Sequence, residues 1–172
     1  MPFQCRFAIA SATLLAMVAP VIAAAQPFGS PTLSTWAKHA NAICAPYVRA
    51  QHTAINLTPR QEAALERLRR GKGRQAGDAT LLKGVAAQID HSAGINDRMR
   101  DALMALQPQR AAAERVALAL SLILRGVNME AAGAAAIRRG SPGFTVDLSG
   151  ALDLYGQSNA IFVQLGATEC AK

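Results

Sequence analysis

From residue 33 onward apolar side chains return at steps of three and four along nearly the whole chain, and this spacing limits the fold more than any other feature. It is clearest in the last run, where Phe144, Leu148, Leu152, Tyr155, Asn159 and Phe162 step by four, four, three, four and three. Such a series lies on one face of a 3.6-residue helix and reads as a seam facing a bundle. Trp36, Ala40, Ile43 and Tyr47 form a second stripe, with Cys44 beside it, and Leu82, Val85, Ile89, Met99, Leu103 and Leu106 a third. The segment Val116–Leu124 is apolar almost all round. Its alternation also suits a strand, but the Ala-rich, Glu- and Arg-bearing flanks favour a central buried helix, and the run is too short to cross a membrane. No stretch makes a β-hairpin, and aromatic residues are only 5% of the chain, as in close-packed Ala/Leu helices. The expected fold is all-α, an antiparallel bundle of four to five helices.

Local signals place the ends of these helices. Ser34 is a candidate N-cap for the first, and Pro46 is expected to kink or restart it, because an interior proline removes a backbone hydrogen bond. Thr58-Pro59-Arg60-Gln61 is a capping box with proline at the first helical position, and Leu65 and Leu68 of that helix face inward. The glycine-bearing run Gly71–Gly77 reads as a loop, after which Asp78 is expected to cap a long third helix. Gln107-Pro108 separates the third helix from the fourth, Ser141-Pro142 opens the fifth, and Gly166 suits a left-handed C-terminal cap.

The first segment has a short polar start carrying Arg6, then the apolar stretch Phe7–Ala19 and the small residues Ala23, Ala24 and Ala25, an uncleaved membrane anchor being the alternative to a signal. That order reads as a cleavable signal peptide over residues 1–25. A short linker, residues 26–33, and a single helical domain, residues 34–172, are expected to follow. The expected location is extracytoplasmic, either secreted or in the cell envelope, with no transmembrane domain once the signal is removed. Cys5 would leave with the signal. Cys44 and Cys170 then remain as an even pair in an oxidising compartment, which reads as a disulfide, two free thiols being the alternative. Closing a loop of about 125 residues would stabilise the domain by up to about 5 kcal/mol in chain-entropy models.

The pattern Trp36-x3-Ala40-Asn41-Ala42-Ile43-Cys44, with the closing Leu165-Gly166-x3-Cys170, resembles a broad group of uncharacterised exported actinobacterial helical proteins. In that group a helix bearing Ala-[Asn/Asp]-Ala-Ile-Cys follows the signal and a Gly-x-x-x-Cys-like tail ends the domain. The resemblance implies a helical fold and a Cys44–Cys170 bridge, and it carries no catalytic residue across. Pro46 departs from the group, whose members continue the first helix beyond the cysteine without a proline.

Chemistry-bearing motifs are sparse. Arg60, Arg67, Arg69, Arg70, Lys72 and Arg74 are the densest charge feature of a chain with net charge +7. Of these, Arg60, Arg67, Arg70, Lys72 and Arg74 are the candidate residues for an anionic lipid surface or envelope polymer, binding that would weaken with salt. A solvated helix end is the plainer reading, since Glu66 and Arg70 form an i,i+4 pair. Nucleic acid is not expected, because the group lacks interleaved aromatics. No metal site is expected: His39, His52 and His91 have no ligand spacing, Tyr47 and His52 point apart on one helix, and Asp97 and Asp101 are flanked by Arg98 and Arg100. Ser121, Ser141 and Ser149 lack a nucleophile context, so no catalytic residue is named and no cofactor is expected. The leading expectation is an exported non-enzymatic domain that contacts an envelope component or another exported protein. The alternative is a carrier of an apolar small molecule or haem, and an internal hollow with His52 or His91 at its rim would favour it.

Overall fold

The computed structural model describes residues 32–72 and 75–172. Residues 1–25, expected to be a signal peptide, and nearly all of the expected linker lie outside the described residues, as does Arg74. Five helices follow one another: α1 (Leu33–Ala54), α2 (Pro59–Arg69), α3 (Asp78–Met104), α4 (Arg110–Arg139) and α5 (Phe144–Gln164). A 3-10 turn, Thr168–Ala171, closes the chain. There is no strand among the described residues, and the helices pack on one another as an all-α bundle. Short turns join α3 to α4 and α4 to α5, so these neighbours run antiparallel, with α4 between α3 and α5.

Several helix ends follow the expected chemistry. Thr58 and Gln61 form the reciprocal capping box of α2, with Pro59 in its first turn. Gly166 adopts φ +80°, a conformation that costs glycine little, and Gly166 and Ala167 donate to the carbonyls of Val163 and Phe162 as α5 ends. Two caps differ from expectation. Thr32, rather than Ser34, caps α1, its hydroxyl accepting from the Thr35 amide at 3.2 Å. Gly77 occupies the cap position of α3, while Asp78 is already inside the helix and turns its carboxylate toward Arg67 and the Gln75 amide.

Pro46 does not break α1, which runs unbroken through it. Both Pro46 and Ala42, whose carbonyl loses its helical partner, lie on the exposed face, so water can take the missing donor's place. Val116–Leu124 is helical but less enclosed than expected. Val116, Ala119, Leu122 and Ile123 are buried, whereas Leu118 and Leu124 face outward. The complete α4 has the length and mean hydropathy, 1.3 in its most apolar window, of a membrane-crossing helix. In this bundle its buried stripe faces α3 and α5. The seam of α5 is likewise rotated from the expected one: Ala151 and Ser158 are buried, and Leu152 is 70% exposed.

The core is in two parts. One surrounds Trp36, Ala40, Cys44, Leu103, Ile123, Phe162 and Cys170. Here Cys44 and Cys170 form a disulfide with Cα atoms 5.0 Å apart. Asn41 reinforces the junction, accepting from the Glu169 amide at 2.8 Å and donating to the Gly166 carbonyl at 3.2 Å. The other part joins Leu68 of α2 to Leu82, Val85 and Ile89 of α3, Ile137 of α4 and Phe144 of α5. Each large side chain fully buried in these cores contributes roughly 1.5–3 kcal/mol of hydrophobic stabilisation. Between them lies a polar waist.

Candidate functional site

The seams of α3 and α4 pass through this waist without losing helical phase. On α3 the buried positions run Leu82, Val85, Ile89, Ser92, Asn96, Met99 and Leu103, and on α4 they run Val116, Ala119, Ile123, Gly126, Glu130, Gly133 and Ile137. Both series alternate steps of three and four, so Ser92, Asn96 and Glu130 occupy core positions in polar form. Glu130 is only 8% exposed. Its Oε1 accepts from Ser92 Oγ at 3.0 Å, and its Oε2 accepts from Tyr155 Oη at 2.7 Å and from Asn96 Nδ2 at 3.4 Å. Gln51 of α1 braces Ser92, donating to both its carbonyl and its hydroxyl at 3.2 Å.

Glycine lets this arrangement close. A methyl group at Gly126 would lie 2.5 Å from Cε1 of Tyr155, so the ring reaches Glu130 only because position 126 has no side chain. Gly133 makes the corresponding space for Leu148. Burial pushes the Glu130 carboxyl above its ordinary range, although Tyr155, Ser92 and Asn96 act in the opposite direction. Burial, and next the charge of Glu130, push the Tyr155 hydroxyl far upward. Tyr155 is therefore a proton-bearing donor at neutral pH rather than a nucleophile.

Two hollows meet at this carboxyl. One, of about 280 Å³, is bounded by Gln51, His52, Ser92, Asn96, Glu130 and Tyr155, with Cys170 and Lys172 at its tail side. The second, of about 130 Å³, is lined by Ile55, Ile89, Glu130, Leu148, Ala151 and Leu152. They share Ile55, Glu130 and Leu152. Ile55 and Leu152, two large apolar residues left 45% and 70% exposed, thus stand beside the same buried carboxylate.

The basic residues form a different kind of surface. Arg67 binds Asp78 through two hydrogen bonds, Nε–Oδ2 at 3.0 Å and Nη2–Oδ1 at 2.5 Å. Arg69 and Arg70 both hold Glu66 and, led by the Arg69 hydrogen bond, lower its carboxyl to about 2. Arg60 borders a hollow of about 520 Å³ together with Arg67 and Asp78. Arg60 and Lys72 belong to no ion pair among the described residues. The candidate group is thus split: Arg67 and Arg70 are engaged by carboxylates, and Arg60 and Lys72 are the described members left to meet an external anion.

The other candidates are separated. His52 lines the larger hollow, while His39 and His91 are exposed and do not border it. Tyr47 packs half-buried against the disulfide core. Arg100 bridges Asp97 at 3.1 Å and Asp101 at 2.5 Å. No cluster of three or more His, Cys, Asp or Glu side chains suited to a metal occurs among the described residues. Glu130, Ser92 and Asn96 belong to none of the motifs read in the sequence, although each interrupts a helical stripe at a core position.

No family model, no curated protein and no solved structure matches the chain. The resemblance carried by Ala40–Cys44 and the Cys170 tail therefore rests on those residues alone.

Proposed function

We propose that this chain is an exported, non-enzymatic domain that holds a small molecule at the waist of its bundle. The observation that carries the reading is the pair of hollows meeting at Glu130, with His52 lining one of them. The cavity is mostly apolar and has a few convergent polar groups, the usual character of a small-molecule site. At about 280 Å³ it is slightly smaller than the ~300–1,000 Å³ usual for such sites, which fits a modest ligand. The disulfide suits an oxidising compartment and so supports export.

The test is an amide-resolved NMR titration of the disulfide-bonded protein with a library of small amphiphiles. Binding should shift residues 51–55, 89–99 and 151–155 together. Shifts absent from these segments, with the strongest changes at Arg60 and Lys72, would contradict the cleft as the working site.

A second reading, contact with an anionic envelope polymer or lipid surface, is supported by Arg60 and Lys72, which are exposed and in no ion pair among the described residues. It requires binding to anionic vesicles or cell-wall fractions that falls as salt rises. Salt-independent sedimentation would exclude the basic group.

A further inference from the structure

Among the described residues Glu130 has hydrogen-bond donors but no counter-charge. Its donors, Ser92, Asn96 and Tyr155, are all neutral, and no ion pair among the described residues involves it. The other charged residue bordering the larger hollow, Lys172, is turned to Glu169. A buried carboxylate is costly unless it is both paired and hydrogen-bonded, and here only the second condition is met. The carboxylate also has capacity to spare. It offers about four acceptor sites, and among the described residues Oε1 accepts only from Ser92. Beside it lies the hollow of Ile55, Ile89, Leu148, Ala151 and Leu152, which offers no charge except that of Glu130 itself.

We infer that the ligand is a small alkyl- or aralkylammonium ion, its cationic head paired with Glu130 and its apolar part lying between Ile89 and Leu148. This inference rests on the small-molecule reading above. An anionic ligand would meet like charge at the floor of the cleft. A neutral one would fill the space and leave the carboxylate without a counter-charge.

Calorimetric titration of the disulfide-bonded protein at neutral pH with hexylammonium, hexan-1-ol and hexanoate tests it. Hexylammonium should bind at least about ten-fold more tightly than hexan-1-ol, as a charge-assisted hydrogen bond requires, and hexanoate should bind most weakly. In Glu130→Gln, hexylammonium should fall to the affinity of hexan-1-ol, while hexan-1-ol itself changes by less than about two-fold. The wild-type series needs no variant and decides the matter even if Glu130→Gln fails to fold. Equal binding of hexylammonium and hexan-1-ol would overturn the cation and leave the small-molecule reading standing. No binding by any of the three probes would overturn both.

Discussion

The corner where α2 meets α3 and the waist of the bundle each bury one carboxylate, Asp78 and Glu130, but they complete it differently. At the corner, Asp78 is 2% exposed and faces Arg67, and Glu66 is clasped by Arg69 and Arg70. At the waist, Glu130 is surrounded by neutral donors drawn from α3 and α5. The corner resembles a structural clasp, in which arginine forks match carboxylates and raise the cost of unfolding. The waist stands beside open space with its charge unanswered, the arrangement expected of a site that meets its counter-ion from outside. The same residue type therefore supports a structural reading in one place and a binding reading in the other, and the neighbours decide which.

The largest way to strain this comparison is to cut the disulfide, which borders the waist through Cys170 and leaves the corner untouched. Replacing Cys44 and Cys170 together with serine should cost about 2–5 kcal/mol in denaturant unfolding. Hydrogen exchange should quicken in α1, the closing turn and the cleft, with less change in α2. Equal acceleration in α2 would show that the two regions do not open independently.

Next in size, Gly126→Ala should cost about 1–3 kcal/mol, because its methyl overpacks against the Tyr155 ring. Gly156→Ala is the matched control on α5: its methyl meets nothing within 4 Å, so the better helix propensity of alanine should stabilise by up to about 1 kcal/mol. Thermal melts of the two variants should therefore move in opposite directions. A neutral Gly126→Ala would mean that Tyr155 does not need this approach to reach Glu130.

The smallest effects are in the pH dependence, and their signs are opposite. The Glu66 carboxyl is held at about 2, below its ordinary 4.5, so its contribution is present above 4.5 and is lost as pH falls toward 2. Glu66 is exposed, so this contribution should be small and weaken with salt. The Glu130 carboxyl is held above 4.5, so its contribution is present below 4.5 and is lost as pH rises through the raised value. Stability profiles should show Glu66→Gln flattening the acid limb and Glu130→Gln removing a decline on the less acidic side. Matching slopes in the two variants would erase the distinction between corner and waist.

Much of the scaffold is legible in the residues themselves. Periodicity locates α1, α3 and α5, the capping box of Thr58 and Gln61 announces α2, the apolar run Val116–Leu124 with its flanks marks α4, and Gly166 stands where the chain needs a positive φ. Phase is harder to read. Ala151 and Leu152 are adjacent and both apolar, so a stripe through either has helical spacing, and only the fit of α5 on α4 buries the smaller one. The waist is harder still, because its parts are short polar interruptions on separate helices. Ser92, Asn96, Glu130 and Tyr155 each have a plain role as single residues, and they become a site only when the register of α3, α4 and α5 brings them together. The regular three-and-four spacing through Glu130 was the available signal: a charge at a core position calls for partners from facing helices. The Asn41 position in the Ala-Asn-Ala-Ile-Cys segment likewise gains its meaning from the tail it fastens, 128 residues away from its Glu169 contact.

Whether Glu130 is a buried carboxylate that pairs with a cation is decided by following its side-chain carboxyl by carbon-detected NMR across pH, with and without hexylammonium. A midpoint above 4.5 is expected in the free protein and a lower one when hexylammonium is bound, since a cation favours the ionised form. A midpoint at or below 4.5 in the free protein, or one that saturating hexylammonium leaves unmoved, would contradict it.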